Sequence, residues 1–223
     1  MSITQNLNQI KNTIPKHVTL VAVSKTKPIE ALQEAYDSGQ RIFGENKIQE
    51  MTQKWEVLPK DIEWHMIGNL QRNKVKYMAE YVSLIHGVDS FKLLQEINKQ
   101  ALKHNRIINC LLQIKIAQED TKAGMTTEEA KAILQSEELS NLKNIKIIGL
   151  MGMASFSKNQ QQVTTEFNYL SNSFDQLKEI KTNNCELKTI SMGMSGDYEL
   201  AINCGSTMVR VGSSIFGVRN YNI

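Results

Sequence analysis

Short apolar runs rich in β-branched residues recur along this chain, separated by longer stretches in which apolar side chains return every three or four positions. The runs have the length and composition of strands, and the longer stretches have the period of amphipathic helices. Strands are predicted over residues 18–24, 41–44, 63–67, 84–88, 108–116, 146–151, 186–191 and 208–211. Helices are predicted over 28–38, 47–57, 71–81, 91–103, 127–135 and 163–180, and Ile3, Leu7 and Ile10 mark one face of a further short helix at the N-terminus. Pro28 suits a first helical turn, Thr126-Thr127-Glu128-Glu129 has the form of a capping box, and Ser38-Gly39 marks a stop.

Strand and helix alternate throughout, which implies parallel strands joined by helical crossovers. Eight repeats favour closure into a (β/α)8 barrel with an extra N-terminal helix over an open doubly wound sheet, the second choice. With no linker rich in Pro, Gly or Ser and no shift of composition, residues 1–223 are expected to form one domain. In such barrels chemistry gathers at the C-terminal ends of the strands.

That rule gives weight to Lys25. If residues 18–24 form a strand, Val21, Val23 and Lys25 share one face, so a lysine is aimed where core side chains sit. Desolvation there favours the neutral amine that a carbonyl-binding lysine needs. The plainer alternative is a lysine reaching solvent at a strand end. Lys27 has the same parity, but Pro28 behind it places it past the strand. Asn46, Gly68-Asn69 and Met151-Gly152-Met153 occupy the corresponding ends of strands two, three and six.

The loops after strands seven and eight commonly hold phosphate in this fold. Here they read Ser191-Met192-Gly193-Met194-Ser195-Gly196-Asp197 and Arg210-Val211-Gly212-Ser213-Ser214-Ile215-Phe216-Gly217. Glycines admit a close backbone approach, serines donate, and a helix beginning near Ser195 or Ser213 would present free N–H groups. Tight strand-to-helix turning would also account for the glycines. Neither loop fits a dinucleotide-binding or P-loop pattern.

Charge narrows the partners. Interspersed acidic and basic residues leave a net +3, a solvated-surface pattern that gives no footing for nucleic acid. The basic stretch 71–77 reads as an exposed helix face. Cys110, Cys185 and Cys204 are odd in number and far apart, as expected of reduced thiols in a cytoplasmic protein. No run approaches the roughly 18–20 apolar residues of a membrane span, and the polar N-terminus lacks a signal-peptide core. His86 and His104 read as isolated, so no metal site is expected. The alternating methionines Met151, Met153, Met192 and Met194 read as barrel packing.

Residues 21–28 (VAVSKTKP), Phe43-Gly44-Glu45-Asn46 with Gln49-Glu50, Trp64-His65-Met66-Ile67-Gly68, Leu150-Met151-Gly152-Met153, Ser191-Met192-Gly193-Met194-Ser195 and residues 205–212 (GSTMVRVG) together strongly resemble the YggS/PROSC family of pyridoxal 5′-phosphate homeostasis proteins. The match runs from about Val18 to Gly217. It implies a barrel similar to the N-terminal domain of alanine racemase, carrying pyridoxal phosphate as an internal Schiff base. By motif position Lys25 is similar to the Schiff-base lysine, Ser195, Gly212 and Ser213 to phosphate ligands, and Arg210 to the residue facing the pyridine nitrogen, with Asn46 and Met194 lining the pocket. A cationic neighbour disfavours protonation of that nitrogen and weakens the ring as an electron sink.

A racemase needs an acid/base group on each face of its substrate. Beyond Lys25, only Tyr36, Tyr198 and His65 are candidates, and they read more simply as surface tyrosines and a strand-bound core histidine. The expectation is therefore a monomeric carrier that binds pyridoxal phosphate and serves client enzymes, without significant turnover. A compact pyridoxal-dependent amino-acid racemase, and a Schiff-base aldolase without coenzyme, are the alternatives.

Overall fold

Eight parallel strands pair in chain order, and the first closes on the last through the register Thr19↔Met208 to Ala22↔Val211. The computed structural model describes residues 2–117 and 123–217. Its strands are β1 (Thr19–Val23), β2 (Ile42–Glu45), β3 (Glu63–Met66), β4 (Val82–Val88), β5 (Ile108–Gln113), β6 (Ile145–Met151), β7 (Cys185–Met194) and β8 (Met208–Val211). The helices are α1 (Ile3–Thr13), α2 (Ile29–Asp37), α3 (Ile48–Val57), α4 (Phe91–Lys103), α5 (Thr127–Gln135), α6 (Glu137–Ser140), α7 (Gln160–Leu177), α8 (Tyr198–Asn203) and α9 (Ser213–Phe216). The expected (β/α)8 barrel with an added N-terminal helix is the fold observed.

Strand alternation sorts the side chains. On β8, Val209 and Val211 point out into the layer under the helices, while Met208 and Arg210 point into the barrel. The outer layer holds the largest fully buried side chains, including Trp64, Phe43 and Phe167, each contributing about 1.5–3 kcal/mol by burial. Inside, Val21, Leu84, Leu111, Met151 and Met208 form a separate apolar cluster. Above it, toward the C-terminal ends of the strands, the inward positions become polar: His65, His86, Ser191 and Arg210, all buried.

Local signals act as their chemistry requires. Thr126 caps α5 and Glu129 reciprocates, completing the capping box, and α1 carries a second box from Ser2 and Gln5. Gly39 follows α2 at φ +84, the left-handed conformation that suits a glycine helix stop. Segment 71–81 departs from the expected helix. It is a six-residue 3-10 helix, Arg72–Tyr77, in which Val75 is buried and the polar residues face out. The first strand also ends one residue sooner than expected, at Val23, and β7 runs on to Met194.

Candidate functional site

Lys25 lies in the turn that leaves β1. Ser24 still pairs with β2, its N–H donating to the Gly44 carbonyl at 3.1 Å, and the Lys27 N–H closes the turn on the Ser24 carbonyl at 3.0 Å. Lys25 is half-buried at the C-terminal rim of the barrel. Lys27 is directed elsewhere: its ammonium donates to the carbonyls of Phe216 and Gly217, both at 2.9 Å.

The β7 and β8 loops meet each other and meet β1. The Gly212 N–H donates to Ser195 Oγ at 3.0 Å, joining the two serine-glycine loops directly. A Cβ on Gly212 would stand 3.0 Å from the Val23 carbonyl oxygen and 3.2 Å from Val23 Cβ, so a side chain there would push the loop off the strand that delivers Lys25. Ser213 opens the four-residue α9, in which the Ile215 and Phe216 N–H groups both donate to the Gly212 carbonyl at 2.9 Å, leaving the first two N–H groups of the turn, those of Ser213 and Ser214, toward the rim. Met194 ends β7 and is 37 % exposed on the rim, its N–H tied to Asp197 Oδ1 at 2.6 Å. Asn46 follows β2 and is half-buried. Gly68 allows the next loop to lie on it, since a Cβ there would come within 2.4 Å of the Asn46 carbonyl oxygen.

Arg210 sits below this rim, paired in register with Val21. Its guanidinium donates to Ser191 Oγ at 2.6 Å and to the Gly152 carbonyl at 3.1 Å. Burial draws its pKa down to about 10, and Asp197 offsets part of that, so it is charged at neutral pH. Ser191 in turn lies 3.0 Å from His86 Nδ1, and His86 Nε2 lies 3.1 Å from His65 Nδ1. Since arginine only donates, Ser191 accepts from it, and the donor and acceptor roles along the Ser191–His86–His65 chain follow the tautomers of the two imidazoles. Both imidazoles are neutral: burial pulls His65 down to about 3 and His86 well below its ordinary value, with His65 and Arg210 adding to the latter shift. His86 is thus not isolated; the parity that placed Leu84 and His86 on one face of β4 was the available signal.

Sequence reasoning missed a second buried cluster, on the outside of β2. Lys54 Nζ donates to the Ser24 carbonyl at 2.8 Å, to Glu45 Oε1 at 2.7 Å and to Glu50 Oε1 at 2.7 Å. Ser24 Oγ donates to the same Glu45 oxygen at 2.7 Å, and the Thr26 N–H donates to Glu50 Oε1 at 2.5 Å. The signal was an i,i+4 Glu–Lys pair falling on the face of α3 that buries Ile48 and Met51.

The three candidates for a second acid/base group are dispersed. Tyr36 donates to Asp61 beside Arg41, at the N-terminal end of β2. Tyr198 is buried rather than a surface side chain, and its hydroxyl contacts Thr13 and Glu199. His65 is enclosed in the barrel with His86.

The sequence matches the family described as alanine racemase, N-terminal domain, over residues 1–220. It is 40 % identical over 203 residues to the pyridoxal phosphate homeostasis protein of Aquifex aeolicus, covering 91 % of this chain and 87 % of that one. It is 37 % identical to the protein of the same name from Haemophilus influenzae, covering 100 % and 98 %. The chain belongs to the pyridoxal phosphate homeostasis protein family. Within it, the structure of PipY from Synechococcus elongatus with PLP bound superposes with a TM-score of 0.87 at 34 % identity, covering 97 % of this chain and all of that one. Alanine racemase from E. faecalis shares the fold alone, at 17 % identity and a TM-score of 0.72 over 58 % of its length.

Proposed function

We propose that this chain is a single barrel domain that holds pyridoxal phosphate on Lys25 and buffers it for other enzymes, acting as a monomeric carrier rather than a catalyst. Gly212 carries the reading: through it the strand that delivers Lys25 and both serine-glycine loops meet at one rim. When bound, pyridoxal phosphate supplies an aldehyde that forms a C=N bond with an amine, with loss of water. Lys25 provides the amine. Ser195, Gly212 and Ser213 cradle the phosphate with hydroxyl and backbone donors, fixing the ligand at both ends. Arg210, held by Ser191 and Gly152, presents a positive charge to the ring nitrogen and keeps it unprotonated. Asn46 and Met194 line the sides.

The names of the relatives and the PLP-bound PipY structure support the ligand. The separate settings of Tyr36, Tyr198 and His65, each tied to other side chains, support holding over turnover. In this reading, added pyridoxal phosphate gives a visible absorption band that Lys25→Ala loses, and no amino acid in a panel is converted to its enantiomer or keto acid at enzyme-like rates. A colourless wild-type protein contradicts the ligand; sustained racemisation contradicts the carrier role.

A further inference from the structure

We propose that Glu45, Glu50 and Lys54 are positioning residues that fix the Lys25 amine by clamping the turn on both sides of it. The proposal rests on Lys25 being the carbonyl-binding residue. Ser24, the residue before, is held twice: its carbonyl by Lys54 and its hydroxyl by Glu45. Thr26, the residue after, is held by Glu50 through its N–H. Thr26 has φ +63, a conformation disfavoured for a β-branched residue by about 1–3 kcal/mol and retained only where the surroundings impose it. The Glu50 carboxylate supplies that constraint at 2.5 Å.

The cluster is costly for a merely structural tie. The Lys54 and Glu45 side chains are 5 % and 0 % exposed, and buried ion pairs commonly stabilise no better than apolar residues of the same volume. One carboxylate would suffice to pair Lys54 and pin α3 to β2. The second, Glu50, is the one that reaches past Lys25 to Thr26. All three ammonium hydrogens of Lys54 are committed, to Ser24, Glu45 and Glu50. Its charge is therefore neutralised locally, and its amine is not a rival to Lys25 for a carbonyl.

The test uses the full chain with added pyridoxal phosphate, following growth of the visible band, its pH midpoint, and the site of borohydride-fixed label by peptide mass mapping. Glu50 lies in the first turn of α3 at 22 % exposure, so Glu50→Ala is expected to fold, with a cooperative melt. It should load about tenfold more slowly, the weight of one lost charge-assisted hydrogen bond, shift the pH midpoint, and spread label from Lys25 onto Lys27. Glu50→Gln keeps an acceptor oxygen without the charge and should recover part of the loading rate and return the label to Lys25. A Glu50→Ala protein that loads and labels Lys25 like wild type overturns the positioning role while leaving Lys25 as the binding residue. Wild-type label away from Lys25 overturns both.

Discussion

Two buried polar clusters flank the wall formed by β2 and β3, and they are built on opposite principles. Inside the barrel, His65, His86 and Ser191 form a neutral hydrogen-bonded chain that leads from one cation, Arg210. Outside, under α3, Glu45, Glu50 and Lys54 are ionic, and Glu45 Oε2 has no hydrogen-bond partner among the described residues. In the proposed reading the inner cluster orients a charge toward the ligand, and the outer one orients the backbone that carries the amine. A charge can be aimed through neutral dipoles because they cost little to bury when each is paired. A turn with an unfavourable φ needs stronger contacts, and charge-assisted hydrogen bonds supply them.

The largest difference is expected on removing a charge. Lys54→Ala leaves Glu45 buried without its partner and should cost about 3–5 kcal/mol in urea unfolding. A loss below about 1 kcal/mol would mean that water replaces the ammonium and that the outer cluster is not truly ionic. Acid comes next, and the two clusters respond with opposite signs. His65 is depressed to about 3 from 6.5, so the unfolded chain binds the proton first, and stability falls as pH drops below about 6.5, by about 2 kcal/mol at pH 5. Glu45 is raised by burial, despite Lys54 and Ser24 acting the other way, so its contribution is greatest in acid and is lost as pH rises through its folded-state pKa. Replacing both histidines with Leu should flatten the acid limb of stability against pH; an unchanged limb would show that the inner cluster is not what titrates.

Ser191→Ala is a smaller cut, leaving one Arg210 N–H without its acceptor at a cost of about 1–3 kcal/mol. It should also move the visible band of the loaded protein, whereas Lys54→Met should alter the rate of loading instead. Smallest is Thr126→Ala, which removes the α5 cap far from both clusters. It should lower stability by about 1 kcal/mol and leave the band and its loading rate untouched, separating general destabilisation from effects on the site.

The barrel was legible because parallel strands buried on both faces must read as short apolar runs between amphipathic helices, and each of the eight runs became a strand. The 71–81 segment misled because Val75 and Met78 share a spacing that a 3-10 turn satisfies as well as an α-helix. Lys25 and the two loops stood out because barrels of this kind gather chemistry at the C-terminal ends of their strands and commonly hold phosphate after strands seven and eight. The clusters behind them were hidden for a physical reason. His65 and His86 are 21 residues apart and Ser24 and Lys54 are 30 apart, and only barrel closure and the docking of α3 bring them together. Local spacing could show Glu50 beside Lys54; it could not show that both face the turn around Lys25.

The central claim is that Lys25 is the residue that takes the aldehyde, and borohydride reduction of the wild-type protein loaded with pyridoxal phosphate tests it most directly. Peptide mass mapping should find one pyridoxyl group per chain, on Lys25, with none on Lys27 or Lys54. Label on either of those lysines instead, or a protein that takes up no coenzyme, would contradict the account.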